Sequence, residues 1–292
     1  MSGILGQPAH VGPLAMSKFL NNNFVPLNWN GSFWKPSYTH KLSAGESFLI
    51  KEYGLRLKGN DIDYKLNSFG FRCDEFQKKN EEIDHTLFAG CSFTFGESLP
   101  YMLNWSGITF SKLSQKENTS KYYSLSYTGG SIDYIVENIY RYIQFSGKPS
   151  KIFVLFPESK RRMSLHLDEP IVLNPDTSQK SHMDYVWGSL NSIDYQVDKI
   201  KKFEKYCIDN DIYMIWTSWS DSERKIYQRK NFSSYVNFEP YDIKNKMTNK
   251  NSFSREHHKY YDIARDERHP GIGYNSAISN IFMERYVSDN TE

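Results

Sequence analysis

The chain has 292 residues, with 36 Lys and Arg against 34 Asp and Glu, a formal net charge of +2 and an aromatic content of 16%. This interspersed, nearly balanced charge argues against a nucleic-acid partner, because nucleic-acid-binding domains normally carry a basic stripe. The three cysteines show no C-x-x-C spacing and indicate neither a disulfide framework nor a zinc site, so a reducing compartment is expected.

No basic segment followed by an apolar run opens the chain, and no stretch approaches the roughly 18 apolar residues of a membrane span. We therefore expect a cytoplasmic protein without a membrane partner, with association with a virus particle as the alternative. No cofactor or metal is expected. His257 and His258 lie near Asp262 and Asp266, but without a known ligand spacing, so a solvated loop is favoured. The sequence does not indicate an oligomeric state.

Residues 1–83 are rich in Gly, Asn, Pro and aromatic residues and contain short strand-like pieces without helical periodicity. They predict an N-terminal extension of short strands and loops, in which residues 63–72 resemble an edge strand that leads into a turn. A charged connector at residues 78–82 marks the predicted boundary, and residues 84–292 form the second predicted unit.

From residue 86 onward, strand and helix signals alternate, which predicts an α/β fold with a parallel sheet. Two stretches carry no such signals and are predicted as a long loop at about 158–188 and a loop region or lid at about 218–264. The strands are predicted at about 86–89, 122–125, 151–156 and 211–216, and the helices at about 105–116, 132–143, 193–207 and 270–285.

A candidate nucleophile turn follows the first strand. The apolar run 87–89 breaks at Gly90, presents a hydroxyl at Ser92 and reaches a second glycine at Gly96. A serine needs a base to take its proton and donors for the oxyanion, and a strand-to-helix turn can supply donors from its own backbone. Cys91 is an alternative, thiol nucleophile, although a small buried residue is the favoured interpretation of a cysteine there.

A candidate base lies near the C-terminus, where Asp266 precedes His269 by three residues and Pro270 follows. An aspartate at this distance on a tight turn can accept the ring N–H and fix the tautomer, so that the other nitrogen faces the nucleophile. The alternative is a surface turn with an ordinary Asp cap and an exposed histidine. Both candidate segments follow predicted strands, where open α/β sheets build their sites.

In these segments the sequence resembles the SGNH, or GDSL-type, hydrolases and esterases. The block G-D-S-x-x-x-G matches residues 90–96 with Cys91 in place of Asp, and the block D-x-x-H-P matches residues 266–270 in full. Gly129 or Gly130 stands where the family has the glycine of its second block. The resemblance implies a flavodoxin-like three-layer α/β/α sandwich with a parallel sheet.

The resemblance also implies roles for single residues. Ser92 would be the nucleophile, His269 the general base and Asp266 its orienting partner. The backbone N–H groups of Ser92 and Gly129 would be oxyanion donors, with Gly130 close to the substrate.

The third block departs from the family pattern. The family has G-x-N-D after the central strand, whereas residues 156–162 contain no Asn. Glu158 stands near that position, and an ionised carboxylate cannot donate a hydrogen bond. Ser159, Lys160 or an arginine substitutes for the Asn, or activity is weak or absent. Arg161 and Arg162 are interpreted as a solvated pair, with an anion clamp as the alternative.

The resemblance implies a serine esterase or deacetylase that acts on a small-molecule or carbohydrate O-acyl ester through an acyl-enzyme. An O-acyltransferase with the same triad is one alternative. The other is a catalytically degenerate domain that serves as a structural or glycan-binding protein, for example in a virus. Trp219 is interpreted as core, with a stacking face for a sugar ring as the alternative.

Overall fold

A computed structural model describes residues 66–78, 84–117, 121–159, 161–164, 171–173, 193–237, 264 and 269–291. It describes only the backbone of residues 162–164, 171–173 and 221. The expectations for residues 1–65, for the metal-like cluster at 257–266 and for Asp266 therefore lie outside the described residues.

Four parallel strands form the central sheet, in the order β2 (Tyr123–Ser126), β1 (Thr86–Gly90), β3 (Lys151–Phe156) and β6 (Tyr213–Ser218). Their residues are almost all buried, as expected of parallel strands that are covered on both faces. The register sets Gly90 beside both Ser126 and Leu155, so the carboxyl ends of three strands meet at one edge. The strands of the described residues are β1 (Thr86–Gly90), β2 (Tyr123–Ser126), β3 (Lys151–Phe156), β4 (Arg162–Ser164), β5 (Ile171–Leu173) and β6 (Tyr213–Ser218).

Helices flank this sheet, which confirms the predicted α/β fold. The cap of α3 is the one that its sequence indicates: the Ser131 side chain accepts a hydrogen bond from the Tyr134 N–H at 3.1 Å. The helices are α1 (Ser92–Phe95), α2 (Trp105–Glu117), α3 (Ile132–Ser146), α4 (Ile193–Asp209), α5 (Asp221–Tyr227) and α6 (Ile272–Asp289).

Aromatic side chains fix α2 and α6 to one face of the sheet. Phe88 of β1 and Phe153 of β3 are register partners with stacked rings 5.5 Å apart. Trp105 of α2 lies 5.8 Å from Phe88, and Phe282 of α6 lies 4.9 Å from Trp105 and 5.8 Å from Phe153, all between ring centres. These rings form one continuous contact between the sheet and both helices.

The opposite face holds α3 and α4. Tyr123 is the register partner of Leu87, and successive strand residues point to opposite faces, so its side chain lies on the face away from Phe88. There it contacts Tyr142 of α3 at 6.1 Å between ring centres. Tyr140 of α3 in turn contacts Phe203 of α4 at 5.6 Å. The described helices thus cover both faces of the sheet.

Two predicted loops contain structure. The antiparallel hairpin of β4 and β5 lies inside the predicted loop 158–188. Residues 219–237, predicted as the first part of a loop or lid, include α5 and a segment that pairs with the outer side of β6 through Trp216. Trp219 and Tyr227 are buried in the main core. This part is not the predicted unstructured loop, because its aromatic residues pack individually rather than at helical spacing. The lid itself stays a prediction, and residues 238–263 lie outside the described residues.

Residues 66–78 form loops that pack on the domain: the predicted turn is present at residues 68–70, residues 66–72 contain no strand, and residues 63–65 of the predicted edge strand lie outside the described residues. The side-chain oxygen Oδ1 of Asn67 accepts hydrogen bonds from the Phe69 and Phe71 N–H groups, which folds the chain back on itself. The Asp74 backbone N–H donates a hydrogen bond to the carbonyl of Tyr122, just before β2, and the Asp74 carboxylate accepts one from the Tyr122 N–H. The proposed boundary at residue 83 stays a prediction. Along the described residues, no helix has both the length and the apolarity needed to cross a bilayer.

The free energy of unfolding of Phe282→Ala should be about 3–5 kcal/mol lower than that of the wild type, because a cavity replaces a fully buried ring that joins α6 to the sheet. Urea unfolding followed by circular dichroism measures the difference. The matched control is Ile208→Ala, at a side chain that is 60% exposed, which should change stability by less than about 0.5 kcal/mol. Equal losses in the two variants would contradict this account of the core.

Candidate active site

The turn that holds Ser92 is closely packed at its start. A methyl group on Gly90 would lie 1.9 Å from the Thr94 hydroxyl and 2.9 Å from the Leu155 carbonyl oxygen, so only glycine fits between β1 and the turn. Ser92 opens the single turn of α1, which Gly96 ends in a left-handed conformation with φ of 73°. Ser92 itself is 5% exposed. The sequence pattern of two glycines around a serine therefore corresponds to a tight strand-to-helix turn.

Side chains from outside the turn hold its backbone. Thr94 is the centre of this support: its carbonyl accepts a hydrogen bond from the Asn104 amide at 2.5 Å, and its hydroxyl accepts one from the Trp105 indole at 3.0 Å. The buried Arg72 donates to the carbonyls of Phe95, Gly96 and Leu99 at 2.8–3.2 Å. The sequence does not indicate these roles of Arg72 and Asn104, because no local pattern shows which distant carbonyls a side chain reaches.

His269 lies against the same turn. Its ring meets the Phe93 ring edge-on, with centres 5.8 Å apart, and its Nε2 lies 3.4 Å from a carboxylate oxygen of Glu97. Glu97 is also joined to Ser92 through the backbone, since its N–H donates to the Ser92 carbonyl at 3.2 Å. The structure thus brings two of the predicted triad residues to one turn. Asp266 lies outside the described residues.

Asn275 ties the histidine turn to the rest of the site. Its side-chain amide nitrogen donates to the carbonyls of Pro270 at 3.2 Å and Gly271 at 2.8 Å, and its side-chain oxygen accepts a hydrogen bond from the backbone N–H of Trp105 at 2.8 Å. Trp105 in turn donates to Thr94. A continuous chain of buried hydrogen bonds therefore runs from the residues after His269 to the nucleophile turn. Only the tertiary fold reveals this role of Asn275.

The two glycines after β2 differ in what their N–H groups do. The Gly130 N–H donates to the Tyr127 carbonyl at 3.2 Å. The Gly129 N–H and the Ser92 N–H donate no hydrogen bond to a described residue. Gly129 has φ of 76°, and a methyl group added there would meet nothing within 4 Å, so this glycine borders open space. Gly129 is therefore the better donor candidate of the two.

The segment after β3 contacts a buried carboxylate of α5. Glu223 accepts hydrogen bonds from the Ser159 N–H and hydroxyl, both at 2.7 Å, so the Ser159 proton is committed to it. Burial raises the pKa of Glu223 above its ordinary value, against the opposing effect of the two Ser159 bonds. Glu158 is half-buried, and its carbonyl accepts the Arg161 N–H at 3.1 Å.

Arg161 differs from the sequence expectation in its surroundings, whereas Trp219 agrees with it. Arg161 is 8% exposed rather than solvated, and its guanidinium carbon lies 5.4 Å from the centre of the Trp219 ring. Trp219 is 3% exposed and lies 4.8 Å from Phe93 between ring centres, which supports the core interpretation. Cys91 is fully buried beside Ser92. The side chain of Arg162 is not among those described.

Within the described part of the chain, no cluster of three or more His, Cys, Asp or Glu residues is arranged to hold a metal ion. A comparison with protein-family models finds no match, and neither does one with curated proteins. Among solved structures, the chain is similar to one from Bacteroides fragilis described as a "putative acylhydrolase", with a TM-score of 0.39 and 12% identity over 74% of this chain and 92% of that one. A likeness this distant carries no argument about function.

The Asn275→Ala variant should be destabilised by about 2–4 kcal/mol, because it leaves the buried backbone N–H of Trp105 and the Pro270 carbonyl without their side-chain partner, while the Gly271 carbonyl keeps only the Asn275 backbone N–H. Asn275→Asp is the matched variant, since it keeps the acceptor for Trp105 and loses only the amide donor, and it should retain part of that stability. Urea unfolding measures both, and hydrogen exchange reports the Trp105 amide. A wild-type exchange rate at Trp105 in Asn275→Ala would disprove the link.

Proposed function

We propose that this protein is a serine ester hydrolase in which Ser92 is the nucleophile, His269 the general base and Asp266 the group that orients the histidine. The observation that carries the proposal is the position of the His269 side chain against the turn of Ser92, in contact with Phe93 at 5.8 Å and Glu97 at 3.4 Å. A nucleophile and a base that converge from distant parts of a chain are the first requirement of this chemistry.

The reaction proceeds in two halves. Ser92 Oγ attacks the ester carbonyl carbon while its proton passes to His269, and the N–H groups of Ser92 and Gly129 stabilise the oxyanion. When the C–O bond breaks, His269 returns the proton to the departing alcohol, which leaves an acyl-enzyme on Ser92. A water molecule then gives a proton to His269 and attacks the acyl carbon. When the bond from that carbon to Ser92 Oγ breaks, His269 returns the proton to Oγ, which releases the acid and restores the serine.

Two observations support the choice of oxyanion donors. Neither the Ser92 N–H nor the Gly129 N–H is used by a described residue, and Gly129 borders open space. A backbone N–H that donates no hydrogen bond within the protein can donate one to the oxyanion that develops on the substrate. The Gly130 N–H, by contrast, closes a turn onto Tyr127.

Glu97 is the residue of this site that the family blocks did not indicate. Its carboxylate lies 3.4 Å from His269 Nε2, which is longer than the 2.7–2.9 Å of a strong charge-assisted bond. In the proposed mechanism that nitrogen takes the serine proton. Glu97 therefore holds the ring at the turn and yields Nε2 to the Ser92 hydroxyl when the substrate binds.

Labelling with a fluorophosphonate probe tests the proposal. The wild type and Cys91→Ala should react at Ser92, while Ser92→Ala and His269→Gln should react at least about 10³-fold more slowly, because a triad serine is nucleophilic only with its base. Mass spectrometry of the labelled peptide locates the site. Equal background labelling of the wild type and Ser92→Ala would remove the hydrolase proposal, and loss of labelling in a folded Cys91→Ala alone would assign the nucleophile to the thiol.

The substrate class is tested next, starting with O-acetylated sugars, which the family resemblance suggests. Release of acetate by the wild type and not by Ser92→Ala supports the deacetylase assignment. Transfer of the acyl group to an added sugar, in preference to water, would instead assign an acyltransferase with the same residues.

A further inference from the structure

Arg161 lies beside the candidate active site as a buried cation. Its side chain is 8% exposed, and its Nε has no hydrogen-bond partner. The guanidinium rests on the Trp219 ring at 5.4 Å, and no described carboxylate forms an ion pair with it. The guanidinium of an arginine stays charged in proteins, so the free-energy cost of burying the charge remains.

The nearby carboxylates are engaged elsewhere or do not reach the arginine. Glu223 accepts both hydrogen bonds of Ser159 and a further contact from Tyr227. Glu97 faces His269. Glu158 interacts with Arg161 through its backbone carbonyl, not through an ion pair of its side chain. Contact with one aromatic ring offsets only part of the cost of removing a charge from water, so the guanidinium keeps hydrogen-bonding capacity that the described residues do not use.

A row of contacting rings connects this cation to the proposed catalytic residues. His269 contacts Phe93 at 5.8 Å, Phe93 contacts Trp219 at 4.8 Å, and Trp219 contacts the guanidinium at 5.4 Å. Phe93 directly follows Ser92 in the chain. Trp219 follows β6, and its N–H donates to the carbonyl of Phe156, the last residue of β3, at 3.3 Å. Arg161 thus belongs to the same carboxyl edge of the sheet as Ser92.

We propose that Arg161 binds an anionic group of the ester substrate, a carboxylate or a phosphate, and so makes the site selective for charged esters. The role of Arg161 in substrate selection rests on the proposed hydrolase function, whereas anion binding by Arg161 does not depend on it. The planar guanidinium presents paired donors that match the two oxygens of either group. The Trp219 ring holds that plane from one side.

Two matched pairs of esters test the selectivity. One pair places the charge in the alcohol part, as 4-acetoxybenzoate against its methyl ester, and the other places it in the acyl part, as mono-4-nitrophenyl succinate against 4-nitrophenyl butyrate. The wild type should favour the charged member of one pair at least about 10-fold in kcat/KM, since charge-assisted bonds are the strong ones. Arg161→Met should lose that preference through a higher KM, with the neutral esters little changed, and Arg161→Lys should recover part of it.

Several results would overturn the proposal. An equal fall in kcat for charged and neutral esters in Arg161→Met would mean that the arginine stabilises the oxyanion or the fold instead. The absence of any preference in the wild type would remove the selectivity.

A binding experiment separates this proposal from that of the hydrolase. Sodium succinate and sodium phosphate are added to Ser92→Ala and to the Ser92→Ala/Arg161→Met double variant, and the melting temperature is recorded. A rise with either anion that depends on Arg161 supports the site even if no ester is hydrolysed and no probe labels Ser92. Equal rises in both variants, or none, would overturn the anion site while leaving the labelling result to decide the hydrolase.

Discussion

The hydrogen bonds that converge on Thr94 are the constraint on which the candidate site depends. The short helix α1 has a single turn, and a single turn is too short to hold its own geometry. At the start of α2, Asn104 donates a hydrogen bond to the Thr94 carbonyl and the Trp105 indole donates one to the Thr94 hydroxyl. Gly90 allows the Thr94 side chain to lie close to β1. The position of Ser92 is thus set by the helix that follows and by the strand before it.

The same network explains why a histidine from the far end of the chain reaches this turn. Asn275 lies in the first turn of α6 and bonds both Trp105 and the residues after His269. The packing of α6 on the sheet through Phe282 therefore also positions the histidine. Stability and site geometry share one set of contacts here, so substitutions in this core should disturb the site before they unfold the domain.

Much of the fold follows from local sequence, because continuous apolar runs such as 152–156 predict buried strands and the apolar stripe of 132–143 predicts a helix with a Ser131 cap. The serine and histidine segments were found through two short blocks. What the sequence did not reveal depends on tertiary contacts: the burial of Arg161 and the support from Arg72 and Asn275. The sequence around a charged or polar residue does not show whether its side chain faces water or a distant carbonyl. The choice between Gly129 and Gly130 likewise required the backbone hydrogen bonds.

Among the described residues, a segment that is not a strand of the sheet makes backbone hydrogen bonds at one position on each outer side, next to the start of β2 and at Trp216 of β6. Beside β2, Asp74 bonds the backbone of Tyr122, and beside β6, the backbone of Trp216 exchanges hydrogen bonds with Ser234 and Val236. Uncovered strand edges recruit other chains and lead to aggregation. At these positions the protein has occupied its own edges, which makes the covering segments a safeguard of solubility at high concentration as well as part of the fold.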